Sequence, residues 1–194
     1  MKYYLSNVLR RKVLLLFFMQ LSVCAAFAQT AYHSSAVKIT VDGTSTLHDW
    51  KMESSQGQST ATFTLDAAGH LSALTALQFS VNAESLKSEK SGLDKNAYKS
   101  LQTNKYKTIT YQLTSATVTP AGAVKCLGKM TIAGVTLDAD LVATAKVNAD
   151  KSITVKGSKK LSMKSFRIDP PSFMMGAVKT GNDVTVSFDL TLKN

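Results

Sequence analysis

Three histidines, a pair of cysteines and a few adjacent acids are the residues in this 194-residue chain with the most evident chemical potential. The densest grouping is "GTSTLHDWKMES", where His48, Asp49 and Trp50 are consecutive and Trp50 is the chain's single tryptophan. A His–Asp pair that fixes one imidazole tautomer is what a nucleophilic hydrolase requires. Read as a strand start, however, the two neighbours point to opposite faces, and no G-x-S-x-G elbow supplies a nucleophile. The stretch therefore reads as a strand entry, with Trp50 packing and His48 half-exposed. A zinc site calls for ligands at short, regular spacing. His33, His48 and His70 lie 15 and 22 residues apart, with no HExxH among them, so no metal is expected. Glu84, Glu89 and Asp94 are interleaved with Lys87, Lys90 and Lys95 and read as a solvated charged face, while Asp138 and Asp140 share one polar strand face. No glycine-rich phosphate loop leads from a strand into a helix. On these grounds the chain is not expected to be an enzyme or to carry a cofactor.

The N-terminus has a basic front (Lys2, Arg10, Arg11, Lys12), an apolar run from Val13 to Val23, and the small-x-small stretch Ala26-Phe27-Ala28. This is the pattern of a secretory signal peptide over residues 1–28, cleaved after Ala28, and the apolar run is short for a membrane span. Export to the periplasm or the extracellular space is expected. A lipid anchor at Cys24 fits poorly, because Val23 stands where a small residue is wanted. With the leader the four basic residues depart and no acid does, which takes the formal charge from +10 to about +6. The remaining lysines fall singly on polar strand faces, with Lys159-Lys160 the one pair, and no basic run is interleaved with aromatics, which disfavours nucleic acid as a partner. Cys126 is then the one remaining thiol; between Val124 and Leu127 it reads as a buried small hydrophobe, with no disulfide partner.

These side chains must be positioned by strands. "AVKITVD", "STATFTLD", "TITYQLTS", "LDADLVATAKV" and "DVTVSFDLTL" each alternate apolar with polar residues at period two, the mark of strands with one dry and one wet face. "DAAGH", "TPAG", "NADK" and "KTGND" are turn signals between them. Leu93, Ala97, Tyr98 and Leu101 recur at helical spacing, predicting one short helix around residues 93–103. Pro170-Pro171 ends a strand and opens a loop. The expected fold is all-β: a single antiparallel barrel of eight or more strands filling residues 29–194, closed to hide its edges. A barrel of eight strands can hold one ligand inside, and the small inward residues Ala139, Ala143 and Ala145 leave room for it. Strand parity and the flexible loop methionines nominate Phe63, Phe79, Tyr111, Leu113, Leu141, Phe166, Met174, Met175 and Phe188 as apolar lining.

Several stretches together resemble one family. "SAVKITVDGTSTLHDWKMES" is similar to the opening strands of YceI-like proteins, the lipid- or polyisoprenoid-binding family, in the branch marked by "GTSTLHDW". "LQFSVNAESLKSEKSGLDKNAYKSLQTNKYKTITYQLTSATV" resembles the family's sheet, helix and following strand, with Lys107 where proline is common. "GKMTIAGVTLDADL" resembles its strand pair, and "LSMKSFRIDPPSFMMGAVKTGNDVTVSFDLTL" its closing segment. The resemblance runs from about Ser35 to Leu192. It implies a lipocalin-like barrel, secreted or periplasmic, enclosing a long apolar chain; the lining residues above come from strand parity and not from a family motif.

The leading expectation is thus an exported barrel that encloses an isoprenoid, quinone-like or fatty chain as its hydrophobic partner. A structural or interaction protein with a side-chain-filled barrel is the alternative, told apart by an internal cavity. An envelope hydrolase using His48 is the weakest reading. A homodimer is compatible with the sequence.

Overall fold

The computed structural model describes residues 29–194; the expected leader, residues 1–28 with Cys24, lies outside the described residues. Ten strands follow in chain order: β1 (Gln29–Ser45), β2 (Trp50–Ser54), β3 (Gln58–Leu65), β4 (Leu71–Asn82), β5 (Thr108–Val118), β6 (Ala123–Ile132), β7 (Val135–Val147), β8 (Ile153–Ser162), β9 (Ser172–Phe173) and β10 (Val178–Lys193). Among the described residues one α-helix, α1 (Ser91–Leu101), is inserted between β4 and β5. Hydrogen bonding runs β1-β3-β4-β5-β6-β7-β8-β10, and β10 returns to pair with β1. The result is a closed, antiparallel, eight-stranded barrel, in which the pairing of β10 with β1 leaves no edge strand. β2 and β9 extend the wall at one end, beside β1 and β10.

Turn chemistry sets the registers. β6 and β7 are joined by Ala133-Gly134, both at positive φ (48° and 77°), the geometry of a two-residue hairpin whose twist matches its strands. Asp66 holds the β3–β4 turn by accepting from the N–H groups of Ala68 and His70 at 2.9 and 2.8 Å. Those bonds, the His70 amide first, hold its carboxyl below the usual range.

The two ends of the barrel differ. At one end Tyr32, Ala61, Phe63, Ile153 and Leu192 pack almost without exposure, and the Tyr32 and Phe63 rings meet edge to face at 5.6 Å. This end is a dry plug. At the other end the inward-facing Val41, Ile109, Leu161 and Val186 stay partly exposed. The wall is also incomplete here. β7 and β8 pair only through residues 142–147 and 153–158, and beyond them they part. Lys159 crosses the split to Asp140 at 2.6 Å, a bond that holds the Asp140 carboxyl below its usual range. The 3₁₀ turn Met163–Phe166 fills the opening from inside, with Phe166 buried.

The helix begins and ends two residues earlier than its apolar period predicts. Leu93, Ala97 and Leu101 mark a partly buried apolar stripe, but the polar first turn precedes it, and Gln102 stops the helix in the left-handed region with φ 52°. Asp94 departs from the expected solvated face. It is buried and accepts from the Ser88 amide and hydroxyl at 2.7 Å each, tying the helix to the segment before it. The Tyr98 hydroxyl adds a second tie, donating to the Leu86 carbonyl at 2.7 Å.

Candidate functional site

Two apolar cavities lie in series along the barrel axis. The outer one, ≈ 390 Å³, sits under α1 at the incomplete end and is lined by Trp50, Leu93, Ala97, Leu101, Met163, Phe166, Ile168, Phe173 and Val178, among others. The inner one, ≈ 150 Å³, is lined by Phe63, Phe79, Tyr111, Cys126, Leu141, Ala143 and Phe188, among others. Val41, Leu86, Ile109, Ile132, Leu161 and Val186 line both, so the two abut through shared side chains. A volume of this order, walled by apolar groups with a few polar ones at the entrance, is the usual form of a small-molecule site.

The inner cavity exists because the wall residues beside the aromatics are small. Tyr111 lies against Gly128 and Phe188 against Gly157, and a β-carbon on either glycine would overlap the ring. Ala139, Ala143 and Ala145 are buried on the same inner surface of β7. Burial pushes the Tyr111 and Cys126 ionisations up, so both side chains face the cavity uncharged. The Tyr111 hydroxyl is turned to the Ala139 carbonyl, 3.4 Å away.

Of the side chains nominated from sequence, Phe63, Phe79, Tyr111, Leu141 and Phe188 face the inner cavity and Phe166 the outer one. Leu113 packs on the core but lines neither cavity; it sits just past Gln112, where β5 separates from β4. Met175 points away from the barrel and is fully exposed, because the backbone turns there through φ 54°. The Met174 side chain lies outside the described residues. The residues that alternation did not nominate are those of the mouth, which come from α1, the β1–β2 connection and the β8–β10 connection.

The β1–β2 connection is the stretch "GTSTLHDW", and the structure shows what its letters do. Gly43 makes room for the Trp50 ring, whose Nε1–H donates to the Thr44 carbonyl at 3.1 Å. The Ser45 hydroxyl donates to the His48 carbonyl at 2.7 Å and accepts from the Leu47 and His48 amides at 3.2 Å each. Thr46 ties the loop across to the segment entering β10: its N–H donates to the Lys179 carbonyl at 3.0 Å, and its hydroxyl accepts from the Lys179 N–H at 3.1 Å. Leu47 and His48 are thereby held over the outer cavity. His48 and Asp49 precede β2 and are not on it, so strand parity is not what separates them. The imidazole Nδ1 lies 2.8 Å from the Asp49 backbone carbonyl rather than paired with its carboxylate. Among the described residues, no three His, Cys, Asp or Glu side chains converge as metal ligands would.

An antiparallel eight-stranded barrel, plugged at one end and opening into a ligand-sized apolar cavity at the other, defines the class of single-cavity barrels to which lipocalins also belong. The chain is a member of the YceI-like family, whose domain profile matches residues 25–192. Among solved structures it is similar to BcnA of Burkholderia cenocepacia, at 14% identity and a TM-score of 0.67, covering 80% of this chain and 95% of that one. It is also similar to a polyisoprenoid binding domain from Saccharophagus degradans implicated in plant cell wall breakdown, at 12% identity and a TM-score of 0.60, covering 84% and 97%. The YceI protein of Campylobacter jejuni follows at 18% identity and a TM-score of 0.56, covering 72% and 85%. No curated protein matches the chain significantly.

Proposed function

We propose that this protein is an exported, non-catalytic carrier that encloses the hydrocarbon chain of a lipid, isoprenoid-type in the first instance, in its two serial cavities. The observation that carries this reading is the outer cavity of ≈ 390 Å³ abutting the inner one of ≈ 150 Å³, both walled by apolar side chains. A barrel filled by its own side chains would leave no such space, so the cavities favour the carrier over the structural alternative. Burial supplies the affinity, at about 0.8 kcal/mol per enclosed methylene before ordering costs. Similarity to a polyisoprenoid binding domain supports the class of ligand. The leader pattern of residues 1–28 supports export, with the mature chain starting at Gln29.

One preparation tests both halves. The full chain, expressed in a bacterium that exports it, is recovered from the periplasm or medium, weighed intact and extracted with organic solvent. A mass beginning at Gln29, with one equivalent of a long-chain lipid in the extract, is expected. A chain that retains the leader in the cytoplasm sinks the export reading, and an extract free of lipid sinks the carrier reading.

A further inference from the structure

We infer that the mouth of the outer cavity is built to take an anionic head group, so that the ligand is a single-chain amphiphile ending in a carboxylate or a phosphate and not a neutral quinone or alcohol. This rests on the carrier reading above and names the end of the ligand that the reading leaves open.

The lining of the outer cavity is apolar but for a few groups at its rim, and the charged one is Lys90. Its ammonium lies 3.5 Å from Nε2 of His48, which also lines the cavity. A carbonyl oxygen can only accept, so the 2.8 Å contact of Nδ1 with the Asp49 carbonyl puts the ring proton on Nδ1. Nε2 then presents a lone pair to Lys90. The loop carrying His48 is itself held by Ser45 and Thr46, as described above, so the imidazole is a fixed post that holds the ammonium at the entrance.

An ammonium has three N–H donors, and His48 takes one. No carboxylate claims the others: among the described residues, the ion pairs use lysines 38, 129, 156, 159, 160 and 193 and His70. The acids nearest in sequence stand outside the lining. Asp94 is buried and taken by Ser88, while Asp49 and Glu89 are exposed. Lys90 also leads directly into α1, and Gly92 in the first turn lines the cavity with open space above its α-carbon. A cation without a counter-ion at the rim of an apolar chamber is complementary to a ligand whose tail is hydrocarbon and whose end is negative. Next to such a wall the interaction is stronger than in open water. Lys90 binds the head directly; His48 is a positioning residue.

The test uses the single tryptophan of the chain, Trp50, which lines the same cavity. Its fluorescence is followed at neutral pH during titration with palmitate, hexadecanol, farnesyl phosphate and farnesol. The acidic member of each pair should bind about tenfold or more tightly than its alcohol, the scale of one or two charge-assisted hydrogen bonds. Lys90→Gln should remove that preference, with an unchanged thermal unfolding curve showing that the variant is folded. His48→Ala should reduce the preference in part. Preference for palmitate alone assigns a carboxylate head and for farnesyl phosphate alone a phosphate head. Equal binding of acid and alcohol by the unmodified protein, or a preference that survives Lys90→Gln, overturns the head-group inference while the carrier reading stands. If none of the four binds, both fall.

Discussion

Replacing Ala143 by phenylalanine is expected to weaken binding of a long-chain ligand on the order of 100-fold while the barrel stays folded. Ala143 lies on the inner face of β7, between Val124 of β6 and Gly157 of β8 in register, and lines the inner cavity. A phenyl ring there projects into a space of ≈ 150 Å³ that the native side chains leave empty. Inserting bulk into a well-packed core costs about 1–3 kcal/mol, and an existing void lowers that cost. A tail kept out of the inner cavity forfeits about 0.8 kcal/mol per methylene, so excluding three or four of them accounts for roughly a hundredfold loss. The outer cavity is untouched, and short chains should bind as before. A Trp50 titration across a series of chain lengths measures both effects. Loss of short-chain and long-chain binding alike would show that the ring disrupts the whole barrel instead of one chamber.

The second large effect is on stability. Gly128→Ala is expected to destabilise the protein by about 3 kcal/mol, lowering Tm by roughly 6–12 °C for a chain of this size. The added β-carbon would overlap both the Gln112 carbonyl oxygen and the Tyr111 ring. The ring can turn aside only by giving up its place in the cavity wall, and the carbonyl belongs to the β5–β6 ladder and cannot move alone. Gly92→Ala is the control, because open space surrounds its α-carbon and it lies in the first turn of α1. That substitution should be neutral or stabilise by about 0.5 kcal/mol. Thermal or urea unfolding of the two variants beside the parent compares them directly. Equal stabilities would remove Gly128 from its assigned part in shaping the cavity.

How much of this was legible in the sequence follows from where each element takes its instructions. Period-two alternation is a local signal, and it located β1, β3, β5, β7 and β10 of the eight barrel strands, because each must bury one face regardless of its neighbours. The same parity put Phe63, Phe79, Tyr111, Leu141 and Phe188 on the inner surface. It could not tell that Leu113 lies beyond the point where β4 and β5 part, since strand separation depends on both strands. Met175 lay outside its reach as well, because a loop has no parity and one left-handed residue turned that side chain to solvent. Asp94 looked like surface because only the fold brings Ser88 round to bond it. The mouth was the least legible part. Leu47 and His48, Lys90 and Leu93, and Ile168 and Phe173 come from three separate connections, and their convergence is set by the closure of β10 on β1. "GTSTLHDW" read correctly as a packing segment and not a dyad, but strand parity was the wrong reason, because His48 and Asp49 lie before β2. Its residues brace a loop over a cavity, and no acid–base pair is formed.

The central claim is that a hydrocarbon chain occupies the outer and then the inner cavity. Its most direct measurement is the fluorescence of Trp50, at the mouth, during titration of the unmodified mature protein with prenyl or alkyl ligands of increasing length. The account predicts saturable binding at one equivalent, with affinity that rises for each added segment until the inner cavity is full and then levels off. Binding that does not saturate, or an affinity indifferent to chain length, would contradict it.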